Sequence, residues 1–128
     1  MTARTQALGR YGEQAAARHL EAAGMRVLAR NWRCRVGELD IVALDTRPPG
    51  GPALAVCEVK TRSENGVQSP AEAVGAAKAE RLLVLAERWL AECWSGPPPP
   101  GGVRVDLICV VHGRRGPARI THLRGAVG

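Results

Sequence analysis

The sequence predicts an α/β fold in which a mixed central β-sheet is flanked by helices. Two stretches with apolar residues at helical spacing separate strand-like segments, in the order one helix, three strands, one helix and two strands. A Pro/Gly turn joins two consecutive strands, and a long helix separates the third strand from the fourth. At 128 residues the chain has the usual length of one domain, so we expect residues 1–128 to fold as a single unit.

The two predicted helices are defined by periodicity and by their end signals. The first covers residues 5–23, with Gly24 as a C-terminal stop. The second covers residues 76–93 and carries one apolar stripe. Just before it, "SPAEAV" at 69–74 contains the residues of a capping box, with Ser69 as the N-cap.

Five segments combine β-branched and apolar residues with Gly or Pro near their ends, as strands do. The turn "TRPPGGP" makes the second and third segments an antiparallel hairpin. The helix after the third segment suits a right-handed crossover, which returns the fourth segment parallel to the third. The last segment is short and predicts an edge strand. The predicted strands are residues 25–32, 37–44, 53–62, 103–111 and 119–123.

The chain is basic, with a net charge of +6 and a sequence pI near 9.9. This charge favours a polyanion or an acidic surface as the partner, although an arginine-rich proteome would give an ordinary soluble protein the same balance. Only two of the 18 basic residues are lysines, Lys60 and Lys78. Lysine and arginine are not interchangeable, so each lysine is a candidate for a specific role.

The cysteines and the N-terminus indicate a reduced, cytoplasmic protein. The four cysteines form no C-x-x-C pair and no Cys/His ligand spacing, so we expect buried free thiols and no zinc site. The N-terminal stretch lacks the apolar core of a signal peptide, and no run is long enough to span a bilayer. We therefore expect no membrane association. The histidines have no evident companions and are expected at the surface: His19, His112 and His122.

Charged residues interrupt two of the predicted strands at a spacing of two. Residues i and i+2 of a strand project from one face, roughly 6.5–7 Å apart, so Glu38 shares a face with Asp40 and Glu58 shares one with Lys60. If the hairpin register brings these faces together, Asp40, Glu58 and Lys60 converge at one end of the sheet. The alternative is that Glu58 and Lys60 form a solvated pair on a half-exposed strand.

A convergence of two carboxylates favours metal chemistry. Close carboxylates repel each other, and a divalent cation removes the repulsion. Mg²⁺ (or Mn²⁺) takes ligands from one or two carboxylates and leaves positions for phosphate oxygens. A lysine beside such an ion can orient the nucleophile or stabilise the transition state. Spacing therefore suggests a metal-dependent phosphodiesterase site, with the solvated pair still open as the alternative.

The same stretches resemble a known family. "GELD" at 37–40 followed by "EVKTR" at 58–62 is a specific combination, and "GRYGEQAAARHL", "SPAEAV", "AKAERL" and "RVDLICV" accompany it in order. With these stretches the chain resembles the YraN-type family of largely uncharacterised bacterial proteins, which have a restriction-endonuclease-like fold of the PD-(D/E)xK type. The resemblance extends from residue 9 to residue 110 and implies one endonuclease-like domain. The layout is also similar to that of archaeal Holliday-junction resolvases.

The resemblance implies a role for each matching residue. Asp40 and Glu58 would be the metal ligands, with the Val59 carbonyl as a third ligand. Lys60 would be the catalytic lysine. Glu13, on the first helix, matches a nuclease-family glutamate that faces the same metal, and its alternative is a surface glutamate near a helix start, favoured there by the helix dipole.

Two further carboxylates have less specific assignments. Glu38 either supports the metal ligands or stabilises the turn at Gly37. Asp106, within "VRVDLICVV", is expected to be the structural partner of an arginine rather than a ligand.

Basic residues cluster in sequence around the proposed site. "RNWRCR" places Trp32 among arginines, a pattern suited to phosphate contacts and stacking, whereas Trp32 in the core is the alternative that we favour. No sequence-reading element such as a helix-turn-helix is evident, so recognition of backbone and shape is expected. The candidate nucleic-acid contacts are Arg10, Arg30, Arg33, Arg35, Arg62 and Lys78.

These observations predict a Mg²⁺-dependent nuclease that acts on DNA, with branched or single-stranded intermediates of repair or recombination as candidate substrates. One alternative is a non-catalytic nucleic-acid-binding module on a nuclease fold. Another is an interaction protein whose basic surface meets an acidic protein. A homodimer would suit paired incisions, but no segment predicts a dimer face.

Overall fold

The computed structural model describes residues 3–63, 75–113 and 115–125, which contain two helices and five strands. The predicted order of elements is confirmed, while the capping box predicted at 69–74 lies outside the described residues. In chain order the elements are α1 (Ala3–Ala22), β1 (Arg26–Cys34), β2 (Gly37–Asp45), β3 (Ala53–Ser63), α2 (Ala76–Cys93), β4 (Val103–His112) and β5 (Arg119–Leu123).

The five strands form one mixed sheet in the order β1-β2-β3-β4-β5. β2 and β3 pair antiparallel as the predicted hairpin. β3 and β4 pair in parallel because α2 carries the chain back along the sheet, as predicted. β5 pairs antiparallel with β4 and is one edge of the sheet, and β1 is the other edge.

Each face of the sheet packs against one helix. On one face, α2 places Leu85 and Trp89 against a cluster that includes Val56 of β3. On the other face, α1 places Leu20 against a cluster that includes Ala55 of β3. Neighbouring residues of β3 thus point into opposite cores, which is why this strand begins as a continuous apolar run. A charged residue further along β3 therefore needs its own explanation.

The α1 helix is held close to β3 at a glycine. A Cβ atom built on Gly12 would overlap the side-chain oxygen of Thr61, so only glycine allows this approach. The helix then ends where the sequence predicts, since Gly24 has a positive φ of 88° and Met25 donates a backbone hydrogen bond to Leu20 at 2.9 Å.

A buried ionic network joins residues of β2, β4 and β5. Arg104 donates to Asp106 at 2.8 Å and 3.0 Å, and to Asp45 at 3.0 Å. The prediction that Asp106 is the structural partner of an arginine is therefore confirmed. The prediction that His122 lies at the surface without a companion is wrong: its side chain is 6% exposed, and Nε2 lies 2.8 Å from an Asp106 oxygen. The strand pairing that creates this contact joins residues 16 positions apart in sequence.

The other two histidines also have ring partners, so the expectation that they lack companions is wrong as well. His19 lies edge-to-face with His122 at 5.5 Å between ring centroids, and exposed His112 lies edge-to-face with Tyr11 at 4.8 Å.

All four cysteines are free thiols, as expected, but only Cys57 and Cys109 are buried; Cys34 is half-buried and Cys93 is exposed. Neither described helix has the length and apolarity that a bilayer crossing requires.

Candidate active site

The predicted carboxylates lie where β2 and β3 separate. The ladder between these strands runs from the pair Asp45 and Ala53 to the pair Ile41 and Cys57. Beyond that point β3 continues along β4, while the N-terminal part of β2 continues along β1. Asp40 and Glu58 are the next residues on the two strands, so each stands at the mouth of the resulting fork. The two carboxylates that the sequence predicts to converge therefore follow the last pair of the ladder on neighbouring strands.

At the fork, the side chain of Asp40 makes the hydrogen bond that joins β2 to β3. Its Oδ2 accepts a hydrogen bond from the backbone N–H of Val59 at 2.9 Å, so the side chain bridges the two separating strands. Burial raises the pKa of Asp40 to about 6, and the charges of Glu58, Glu13 and Glu38 add to this effect against the Val59 hydrogen bond. The carboxyl group therefore titrates close to neutral pH, which is unusual for an aspartate.

Glu58 is neutralised by the only two lysines of the chain. Its Oε1 accepts from Lys78 Nζ at 2.7 Å and lies 3.3 Å from Lys60 Nζ. The Glu58 side chain is only 12% exposed, so the pair is not a solvated one and that alternative is wrong. The contact with Lys60 follows from the spacing of two along a strand. The contact with Lys78 depends on how α2 packs on the sheet, and no local spacing in the chain predicts it.

Glu13 of α1 adds a third carboxylate from the opposite face of the sheet. Its side chain is 14% exposed, and within the described part of the chain its buried Oε1 has no hydrogen-bond partner. Arg30 Nε lies 4.0 Å from that oxygen. Burial raises the pKa of Glu13, while Arg30 and Asn31 oppose the rise. The alternative of an ordinary surface glutamate is therefore wrong. The charge of Glu13 also helps to raise the pKa of Asp40.

The fork opens into a cleft with a volume of about 210 Å³ beside the first turns of α2. Its charged walls come from both strands and from the helix, whereas Lys60 and Glu13 do not line it. Arg81 was missed by the sequence analysis, although it follows Lys78 by one helical turn and so shares its helix face. The lining residues are Val36, Gly37, Glu38, Asp40, Glu58, Lys78, Arg81, Leu82 and Leu85.

The donor chemistry of the fork fits a hard divalent cation. The charges of three other carboxylates, Glu58, Glu13 and Glu38, act on Asp40, and Glu13 has a buried oxygen without a hydrogen-bond partner among the described residues. Such crowding is costly for anions and is relieved by Mg²⁺, which prefers carboxylate and carbonyl oxygens. However, the described residues contain no set of three His, Cys, Asp or Glu side chains already arranged around one point. Glu58 would also have to exchange its lysines for the ion.

Four of the six predicted nucleic-acid contacts are exposed. Arg33 pairs with Glu38 across β1 and β2 at 2.9 Å, and Arg62 donates to the carbonyl of Thr61 at 3.3 Å. Trp32 is half-buried against the core on the α2 side, which confirms the interpretation that we favoured. Lys78 is directed at Glu58 in the cleft. The exposed arginines are Arg10, Arg30, Arg33 and Arg35.

Comparison with known proteins places the chain among sequences of the same length. The family model described as "Uncharacterised protein family UPF0102" matches residues 12–110. A UPF0102 protein of Streptomyces griseus is 57% identical over 119 residues, which cover 93% of this chain and 94% of the relative. A UPF0102 protein of Frankia alni is 52% identical, with 94% and 93% covered, and one of Acidothermus cellulolyticus is 46% identical, with the same coverage. None of these names states an activity.

Proposed function

We propose that this chain, which belongs to the uncharacterised protein family UPF0102, is a magnesium-dependent nuclease that hydrolyses DNA phosphodiester bonds. Family membership supplies no activity, so the chemistry of the cleft has to support the assignment. The mixed sheet with one helix on each face agrees with the restriction-endonuclease-like fold that the sequence resemblance implies. Function still depends on the site rather than on the fold.

The observation that supports the proposal most strongly is the meeting of Asp40, Glu58 and Lys60 at the fork. Asp40 is fixed by the Val59 N–H, and Glu58 lies 3.3 Å from the ammonium group of Lys60. A structural role alone explains this arrangement poorly, because it buries acids at a cost that a hydrophobic strand end would avoid. A buried acid with a raised pKa in a cleft, as Asp40 has, is typical of functional sites.

In the proposed site, Asp40 and Glu58 would hold a Mg²⁺ or Mn²⁺ ion, and the Val59 carbonyl would be the third ligand. When bound, such an ion polarises a phosphoryl oxygen and offsets the negative charge of the transition state. Lys60 orients the attacking water or donates to a phosphate oxygen, since its ammonium group already lies beside Glu58. Glu13 adds a buried carboxylate that can accept a hydrogen bond from water in the site.

Cleavage assays on purified protein test the proposal directly. Duplex, single-stranded and branched DNA are incubated with and without Mg²⁺ or Mn²⁺. We expect cleavage only with the ion, and branched or single-stranded DNA to be the better substrates. Lys60→Ala and Asp40→Asn should each lower the rate by at least about 100-fold, as loss of a transition-state contact does.

The matched control is Glu92→Gln, which removes one carboxylate at the far end of α2, where Glu92 pairs with Arg88 at 3.4 Å. This variant should cut like the wild type. Equal cutting by wild type, Lys60→Ala and Asp40→Asn would mean that the activity comes from a contaminant and would refute the proposal.

The second candidate function is a nucleic-acid-binding module without turnover. The contact of both lysines with one Glu58 oxygen favours it, because a carboxylate that is already neutralised has less need of a metal ion. This candidate predicts salt-sensitive DNA binding and no cleavage with either ion. A scaffold for an acidic protein predicts instead no measurable DNA affinity at low salt.

A further inference from the structure

Lys78 contacts the Glu58 oxygen that a bound cation would also have to contact. Its Nζ lies 2.7 Å from Glu58 Oε1, closer than the 3.3 Å of Lys60, which is the lysine of the E-x-K motif. Contacts of this length between an ammonium group and a carboxylate are charge-assisted hydrogen bonds. The proposed ligand Glu58 therefore already has a cationic side chain of the protein on the same oxygen.

The position of Lys78 on α2 is not explained by the stability of the helix. The helix begins after the N-cap Gly75, so Lys78 lies in the first turn, which contains no acidic residue. A positive charge near a helix N-terminus is opposed by the helix dipole. Gly75 also provides no side-chain hydrogen bond to the first turn. The ion pair with Glu58 accounts for the position, whereas the electrostatics of the helix N-terminus do not.

The choice of lysine rather than arginine also fits a removable cation. The chain contains 16 arginines and two lysines, and both lysines contact the same oxygen atom. Lysine presents a compact charge on a flexible stem, while the planar fork of arginine holds carboxylates in a fixed bidentate geometry. The Lys78 side chain is 34% exposed, so it has a path into the cleft and to solvent.

We propose that Lys78 is the resident counter-ion of the site: it neutralises Glu58 while the site is metal-free and competes with a divalent cation for the same oxygen. This inference rests on the proposed function, because it requires that Glu58 is a ligand of that cation. Besides its contact with Lys60, Glu58 is then always paired either with Lys78 or with the ion.

A cation titration without DNA tests the competition. The thermal unfolding midpoint of wild type, Lys78→Met and Arg81→Met is followed as Mn²⁺ or Mg²⁺ is added. We expect Lys78→Met to reach half of its stabilisation at an ion concentration about threefold to tenfold lower than the wild type, because the ammonium no longer competes.

Arg81→Met is the matched control. Arg81 lines the same cleft from the next turn of α2, and among the described residues it makes no ion pair with Glu58. Arg81→Met removes one positive charge, as Lys78→Met does, but leaves Lys78 in place. The ion concentration at which it reaches half of its stabilisation should therefore differ from that of the wild type by less than about twofold. Lys78→Gln is a second variant that keeps the experiment decisive if Lys78→Met does not fold.

The outcomes separate this inference from the proposed function. If the cation stabilises the wild type but Lys78→Met behaves like the wild type or like Arg81→Met, the counter-ion role is refuted and the nuclease proposal stands. If neither ion stabilises any of the proteins, the metal site itself is refuted, and the inference fails with it.

Discussion

Asp40 is the residue at which stability and the proposed chemistry are most directly opposed. Its buried carboxyl group has a pKa of about 6, whereas an unfolded chain has an aspartate pKa of about 3.9. The folded protein therefore binds a proton at this group more tightly than the unfolded chain does. By linkage, the free energy of unfolding falls as the pH rises from about 4 to about 6 and stays lower above that range.

Asp40→Asn should therefore stabilise the protein at pH 8 in the absence of divalent cations, although it removes a ligand of the proposed metal ion. The asparagine oxygen can still accept from the Val59 N–H, but it carries no charge to be buried. We expect a gain of about 2–3 kcal/mol at pH 8 and little change at pH 4, as about two pKa units imply. Urea denaturation at both pH values, without divalent cations, measures the difference. A gain of the same size at both pH values would contradict the linkage argument.

At the scale of the elements, the packing of α1 on β3 depends on one side chain being absent. The close approach at Gly12 lies beside Thr61, the residue after Lys60, so the helix fixes the strand that carries the proposed site. Thr61 is β-branched and has few rotamers with which to yield. A larger residue at position 12 must move the helix or the strand.

Gly12→Ala should lower the free energy of unfolding by about 1–3 kcal/mol, the usual cost of forcing extra atoms into a packed contact. Gly9→Ala is the control, because a Cβ atom there meets none of the described atoms within 4 Å and alanine is the better helix former. The control should be neutral or stabilising by up to about 1 kcal/mol. Chemical denaturation of both variants gives the comparison, and equal effects would show that the contact with Thr61 does not limit the packing.

At the scale of the whole molecule, an ionic network joins β2, β4 and β5 around Arg104. Burial alone would raise the pKa of Asp45, but hydrogen bonds from Arg47 and Arg104 hold it at about 2. Asp106 is also buried, and hydrogen bonds from His122 and Arg104 keep its pKa below the usual value. Stability from these groups is present above about pH 4 and is lost as the pH falls toward their folded pKa values.

Arg104→Met should destabilise the protein by about 3–5 kcal/mol at pH 7, because it leaves two buried carboxylates without their shared cation. Arg88→Met is the control, since Arg88 belongs to an exposed pair with Glu92 on α2 and its loss should cost less than about 0.5 kcal/mol. Denaturant unfolding measures both. A small effect of Arg104→Met would show that water replaces the arginine in this network.

For the proposed DNA binding, the distribution of charge should matter more than the net charge of +6. Replacing the three exposed arginines near β1 by glutamine, Arg30, Arg33 and Arg35, should weaken binding and lower the slope of log affinity against log salt by about 2–3, at roughly 0.9 per phosphate contact. Fluorescence anisotropy at several salt concentrations measures the slope.

The control is the same substitution at the opposite edge of the sheet, at Arg115, Arg119 and Arg124, which are also exposed. It changes the net charge equally but should leave the slope nearly unchanged. Equal slopes for the two triple variants would mean that no localised DNA-binding surface exists near β1.

Much of this architecture could be predicted because its signals are local. Helical spacing and Gly24 defined α1, and the Pro/Gly turn defined the hairpin that pairs β2 with β3. The spacing of Glu58 and Lys60 was enough to predict their contact, since residues two apart on a strand share a face. The burial of His122 could not be predicted in this way, because the contact with Asp106 arises only when β5 pairs with β4.

The sequence by itself therefore determined the order of the elements, the hairpin and the acidic residues that meet at its open end, because backbone geometry over a few residues dictates each of these. The tertiary structure alone decided which cation neutralises Glu58 and that Glu13 is buried. Lys78 and Glu58 are 20 residues apart, and α1 and α2 lie on opposite faces of the sheet. Contacts between such elements depend on how whole side-chain surfaces pack, which no local spacing encodes.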